Sequence, residues 1–189
     1  MKLKMLLMIV LIVSVLLVGC TQEKDIGDVD KITVSNSEEY STLIWIAEEQ
    51  GFFEKNNLDV TNNDYQSGKQ AADVLIADEA DISISAEFVL VSNSFNHPEL
   101  RALATVDKVN NVEIIARRGN GVLSLNDLEG KKIGVTKKSV GEFFIGLLLE
   151  FNGISIDAVE IVDLNPRDML DSLLNGEVDA VLTWAPNTF

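Results

Sequence analysis

LIADEADISIS, Leu75 to Ser85, reads as a helix end, an acidic residue, a small residue, an aspartate and then a β-branched strand. The same order returns in LLNGEVDAVLT, Leu173 to Thr183, at an offset of 98 residues. A helix turning tightly into a strand is half of a β–α–β unit. Two such halves at a fixed distance predict two lobes of similar plan. A second pair of segments points the same way. Ile32-Thr-Val-Ser and Ile133-Gly-Val-Thr each open on a strand, continue through a loop and run into an apolar helix that ends at a glycine, Gly51 or Gly153. The pairs occur in the same order in both halves, which meet near Thr105–Asn111.

The rest of the chain fills in the alternation. Strands are predicted at Lys31–Ser35, over LDVTNNDY, at Asp81–Ser85 and at Arg101–Val106. VEIIARR, KKIGVT, AVEIVDL and VDAVLTW are further strands. Helices are predicted over EEYSTLIWIAEEQGFF, where Leu43, Ile46 and Ala47 fall at helical spacing, from Lys69 to Ala77, over FVLVSNS, and at Gly141–Phe151 and Pro166–Leu174. Gly51 stands where a helix C-terminus belongs. Strands alternating with helices imply an α/β fold with mostly parallel sheets.

The N-terminus follows different rules. MKLKMLLMIVLIVSVLLVGC has Lys2 and Lys4, an apolar run from Met5 to Val18, then Gly19-Cys20. A positive start, a short apolar core and small residues before a cut form a secretory signal. The run is short for a membrane span, which needs about 20 residues. Leu17-Val18-Gly19-Cys20 resembles the lipobox of prokaryotic lipoproteins, in which the cysteine is lipidated and becomes the new N-terminus. Cys20 is the single cysteine, so an internal disulfide is excluded. Two acyl chains anchor stably where one is marginal. Residues 1–19 are therefore expected to be removed, residues 20–30 to form a polar tether, and the domain to sit on the outer face of the cytoplasmic membrane.

Charge narrows the partners. The formal charge is −15 over 189 residues, and loss of Lys2 and Lys4 with the signal makes it −17. Nucleic acid is excluded, because its phosphates need lysine and arginine. With one histidine and one cysteine, no metal cluster is expected. His97 precedes Pro98 in turn chemistry, and Arg117–Gly121 reads as a charged hairpin or loop. No Gly-x-x-x-x-Gly-Lys-Ser/Thr phosphate loop is present.

WIAEEQGFFEKNNLDV, the Gly68 turn, LIADEADISIS, LNDLEGKKIGVTKKSVGEFF and LLNGEVDAVLTWAP, in that order, resemble the solute-binding lipoproteins of ABC importers. The nearest branch is the nitrate/sulfonate/taurine-binding and NMT1/THI5-like, thiamine-precursor group. The resemblance implies two α/β lobes of the periplasmic-binding type II plan, joined by crossovers and closing like a hinge on a small ligand. It implies a binding protein without cofactor or catalysis, a monomer, and a membrane permease as partner; the alternatives are a superfamily enzyme acting on a small metabolite and a tethered ligand sensor without a permease. The cysteine-rich run of the superfamily's pyrimidine-forming enzymes is absent. In that plan the first lobe is built from both chain ends. Here residues 31–107 would be the first lobe and 108–189 the second, and the segment returning to the first lobe after Trp-x-Pro is not in the sequence. The first lobe is accordingly expected to be incomplete, with bare faces and weakened stability.

Ligands of parallel α/β sheets meet the loops at strand carboxyl ends, where helix N-termini offer free N–H groups. Three places qualify. In the Thr136–Phe143 loop, Ser139 and Gly141 suit either a ligand contact or an ordinary capped helix start, with Glu142 and Phe143 beside them. The resemblance favours ligand there. Ser85 and Glu87 end a strand and open a helix, and either bind or cap. Trp184 ends the last strand, where the resemblance places an indole against ligand and core packing is the alternative. Ser37, Tyr40, Ser67 and Gly68 are weaker candidates on the same grounds. An anion would want Lys137 and Lys138, whereas an amine-bearing ring would want Trp184 with Glu142 or Glu87.

Overall fold

The computed structural model describes residues 29–188. The signal segment, Cys20 and nearly all of the tether lie outside the described residues. The first strand begins at Asp30, inside the expected tether.

The first lobe runs β1 (Asp30–Ser37), a 3-10 turn at Glu38–Tyr40, α1 (Ser41–Glu49), α2 (Phe52–Lys55), β2 (Leu58–Tyr65), α3 (Gly68–Ile76), β3 (Ile82–Ile84) and α4 (Glu87–Ser94). The second runs β4 (Val112–Ala116), β5 (Lys132–Val135), α5 (Val140–Phe151), β6 (Glu160–Asp163), α6 (Met169–Asn175) and β7 (Ala180–Trp184). The sheets have orders β2-β1-β3 and β4-β7-β5-β6. Every pairing is parallel except β4 with β7. The expected α/β class with mostly parallel sheets is what folds. Among the described residues no helix is long and apolar enough to cross a membrane.

The repeat is physical. Strands β2-β1-β3 match β6-β5-β7 in order and direction. The aspartate that opened the sequence comparison explains why. Asp81 accepts the Thr33 N–H at 2.8 Å and returns its own N–H to the Thr33 carbonyl at 2.9 Å. Asp179 accepts the Lys132 N–H at 2.9 Å and returns its N–H to the Lys132 carbonyl at 2.8 Å. Each carboxylate satisfies a strand-end donor that the ladder leaves open. The rings also correct the sequence alignment. Val34 pairs with Ile82 and Ile133 with Ala180, so Val34, not Ile32, is the counterpart of Ile133. Replacing Asp179 by alanine should lower the unfolding free energy by about 1 kcal/mol, one lost hydrogen bond at a solvent-facing site. Equilibrium urea unfolding checks it, and no loss would mean that water replaces the carboxylate at no cost.

The cores are unequal. In the second lobe Leu128, Ile133, Val135, Ile145, Leu149, Ala180 and Leu182 pack on one face of the sheet, and Met169, Leu173, Val178 and Val181 on the other. The period-2 alternation along β7 sends Ala180 and Leu182 to the first cluster and Val181 to the second. In the first lobe the buried apolar residues are Val34, Ala71, Ala72 and Val89.

The helix expected from the spacing of Leu43, Ile46 and Ala47 forms, yet Leu43 and Ile46 are 44% and 52% exposed, and Trp45 between them 57%. No described element covers that face of α1. Arg101–Val106 forms no strand. The segment is exposed throughout, with no described strand beside it to complete a ladder, and β-propensity alone does not hold a strand together.

Candidate functional site

The carboxyl ends of β1 and β7 converge where the lobes join. β1 ends at Ser37 and turns directly into Glu38-Glu39-Tyr40. β7 ends at Trp184, followed by Ala185-Pro186. A cavity of about 340 Å³ opens between these ends, lined by Glu38, Glu39, Tyr40 and Thr42, by Asp107, Val109 and Asn111 of the lobe connection, and by Ala185 and Pro186.

Glu39 is its central group. Burial pushes its carboxyl above the usual glutamate range, and the neighbouring Glu38 charge adds to this. Its own backbone N–H, the Ser37 hydroxyl and the Trp184 indole N–H act in the opposite direction without cancelling the burial. Ser37 and Trp184 are both buried, and neither polar atom reaches a partner at hydrogen-bond geometry. Both therefore lean toward Glu39 rather than being satisfied by it. Tyr40 is half-buried. Its hydroxyl pKa is raised by burial and by three carboxylates, Glu39, Asp107 and Glu87.

The Glu39 shift sets a pH dependence. Above the ordinary glutamate pKa the unfolded chain gives up this proton more readily than the folded one, so stability falls as pH rises toward the folded value. Glu38 acts on it directly with the Arg167 guanidinium paired to that neighbour, while Asp107 and Glu87 act with it on the adjacent Tyr40. Glu39→Gln should therefore stabilise the protein at neutral pH. The gain should vanish below about pH 4, where glutamates are protonated in both states. Urea unfolding of both proteins across that range measures it, and a gain independent of pH would contradict the assignment.

The second-lobe loop is built differently. Ser139 is buried, donates to the Thr136 carbonyl at 2.6 Å and accepts the Gly141 N–H at 3.0 Å. Its hydroxyl is engaged on both sides as the helix cap. A Cβ at Gly141 would come 3.2 Å from Leu182 Cδ2, so close packing accounts for this glycine. Lys138 has φ +57°, and its N–H donates to Glu142 Oε2 at 2.7 Å. The N-terminus of α5 thus already carries a carboxylate of its own, which satisfies the local dipole. The Lys137 N–H donates to Asp163 Oδ1 at 3.0 Å.

In the first lobe, Ser67 caps α3 by accepting the Gln70 N–H at 3.3 Å. Gly68 abuts Ser85, where an added Cβ would lie 2.9 Å from the serine Cβ and 3.0 Å from its Cα. The two segments touch, and Gly68 is what permits it. Glu87 stands exposed in the first turn of α4, near enough to act on Tyr40.

Among the described residues, the contacts that bridge the lobes include an aromatic stack and an ion pair. Phe88 of α4 stacks on Phe143 of α5, with ring centroids 4.8 Å apart. Arg167 of the second lobe pairs with Glu38 of the first. Of the sequence candidates, Ser37, Tyr40 and Trp184 gather around Glu39 at the lobe junction, and Glu87 acts on Tyr40. Phe143 lies on the bridging stack, while Ser139, Gly141 and Glu142 form the α5 cap. Ser67 caps α3, and Gly68 at its start packs against Ser85 in the loop before α4. Glu39, Phe88, Asp107 and Arg167 were missed. The signal for Glu39 was its place two residues beyond a strand end, beside two residues already singled out. An acidic pair opening a helical turn reads first as a dipole partner.

A family model described as NMT1/THI5 like matches residues 38–188. A Haemophilus influenzae protein named for thiamine biosynthesis is 30% identical over 140 residues, 74% of this chain and 44% of that protein. A Bacillus subtilis protein named for binding aliphatic sulfonates is 29% identical over 188 residues, 95% of this chain and 56% of that protein. The chain thus spans about half the length of the curated relatives it matches. Among solved structures, the alkanesulfonate-binding protein of Xanthomonas axonopodis pv. citri, bound to MOPS, superposes with a TM-score of 0.66 at 18% identity, covering 85% of this chain and 56% of that one. The shared fold is that of type II periplasmic binding proteins.

Proposed function

Because the chain belongs to the NMT1/THI5-like family, we propose that it acts as the extracytoplasmic solute-binding component of an ABC importer. It captures a small polar solute between lobes spanning residues 31–107 and 108–189, and delivers it to a membrane permease. Signal cleavage before Cys20 and lipidation of that thiol would hold it on the outer face of the cytoplasmic membrane, as a monomer. The observation that carries this reading is the cavity at the lobe junction, which takes walls from the first lobe, the connection and the end of β7. A ligand seated there touches both lobes at once. It would favour the closed state by its differential contacts, and that is all that hinge closure requires.

The bridging contacts suit such a hinge. The Arg167–Glu38 pair is solvent-exposed, and exposed pairs contribute about 0–1 kcal/mol, weak enough to part when the lobes open. The Phe88–Phe143 stack gives the closed state a directional contact of about 0.5–1.5 kcal/mol beyond its buried area. The relatives from Bacillus subtilis and Xanthomonas are named for binding, and the reading here is likewise capture without chemistry.

The test is a panel of small polar solutes, taurine, nitrate and pyrimidines among them, screened by thermal unfolding of the full chain. A ligand that binds only the folded state raises the midpoint. Recovery of that ligand unchanged after incubation supports capture. Its conversion would overturn the reading in favour of an enzyme, and a panel without any shift would overturn solute binding by this chain.

A further inference from the structure

The junction cavity has one sign of charge. Three carboxylates line it, those of Glu38, Glu39 and Asp107, and no lysine or arginine does. Glu38 is neutralised from outside by Arg167. Glu39 and Asp107 have no ion-pair partner among the described residues. The Glu87 charge adds to theirs at Tyr40.

A second, independent feature says that this is a seat rather than an acidic surface. The Ser37 hydroxyl is fully buried and the Trp184 indole is 5% exposed, and both are turned to Glu39 without reaching a partner at hydrogen-bond geometry. Two buried donors without partners cost stability, as does a carboxylate taken out of water without a cation. All three costs fall at one point. A positive group on Glu39 would fix the carboxylate, draw it into geometry with its donors, and supply the missing counter-charge.

The alternative place for an anion is already taken. Glu142 occupies the N-terminus of α5, and Ser139 takes the Gly141 N–H there. Lys137 and Lys138 are exposed, and neither lines the cavity. A sulfonate or nitrate in the cavity would sit against Glu39 and Asp107 with no cation between them, and like charges at such distances oppose binding.

We propose that the junction cavity takes a small organic cation, a protonated amine or amidinium, whose N–H groups dock on Glu39 with Asp107 supporting from the lobe connection. Tyr40 offers a ring at the same wall, a surface on which an organic cation rests well. This rests on the solute-binding reading and assigns the sign of the solute.

The test uses the full chain with benzylamine and 4-aminopyridine as cations, and methanesulfonate and nitrate as anions, each titrated in thermal unfolding. The cations should raise the midpoint in a saturable way, and the anions should not. Glu39→Gln should weaken benzylamine binding at least about tenfold, the loss expected for one charge-assisted hydrogen bond. Its melting without ligand shows that the variant is folded. Asp107→Asn, in an exposed segment, should weaken binding less and serves as a second variant. Retention of the benzylamine shift by Glu39→Gln would overturn the assignment. So would a shift with methanesulfonate and none with either cation, although solute binding would then stand. Failure of both cations, both anions and the wider solute panel would remove the cation assignment and the binding reading together.

Discussion

Replacing Trp184 by alanine should lower the unfolding free energy by about 3–5 kcal/mol, the usual cost of emptying a buried aromatic site. Trp184 is 5% exposed, closes an interior strand whose five residues are all buried, and lies opposite Val112 in the antiparallel pair. Few neighbours at a strand end can move to fill the space. Trp184→Phe separates bulk from chemistry. The phenyl ring keeps most of the packing and removes the indole N–H that lacks a partner, so its cost should stay under about 1.5 kcal/mol. It also removes one of the donors that restrain Glu39, so the glutamate pKa should rise further in this variant. Guanidinium unfolding of the two variants decides the matter. Equal losses would mean that the N–H, not the bulk, holds the site together.

Leu149→Ala should be the other large effect, about 2–5 kcal/mol. Leu149 is wholly buried on the inner face of α5, within the cluster that includes Ile133, Ile145 and Leu182. Phe151, two residues along the same helix, is 81% exposed. Phe151→Ala should change stability by less than about 0.5 kcal/mol. The contrast tests helix orientation directly, since a rotated α5 would exchange the two results. An unchanged denaturant slope in Leu149→Ala would show that the loss lies in the folded state rather than in a different unfolded ensemble.

These residues also show what a sequence gives away. The strand–helix alternation was legible because it is local, and so was the recurrence of an acidic residue, one spacer and an aspartate before a strand. The register of the repeat was not. Ile32 and Ile133 look alike, yet backbone pairing with β3 and β7 makes Val34 the counterpart, and pairing is a long-range property. Leu43 and Ile46 show the same limit from the other side. Helical spacing predicts that two residues share a face, but not that anything lies against it. At the site, Ser37, Tyr40 and Trp184 could be named because strand ends in parallel sheets are where ligands meet the chain. Glu39 and Asp107 could not. Desolvation distinguishes Glu39, and a place on the cavity wall distinguishes Asp107; both appear only when residues some 70 positions apart are brought together. Ser139 shows the reverse case: a serine in a suitable loop whose hydroxyl the fold uses up as a cap.

The two tryptophans, placed so differently, give this protein a built-in optical probe. Trp45 is 57% exposed on the uncovered face of α1, whereas Trp184 is sealed at the lobe junction beside a carboxylate. An aqueous quencher such as iodide reaches the first and not the second. The emission that survives quenching therefore reports from the wall of the junction alone. Any solute that changes the charge or distance of Glu39 alters that residual light, with no label attached.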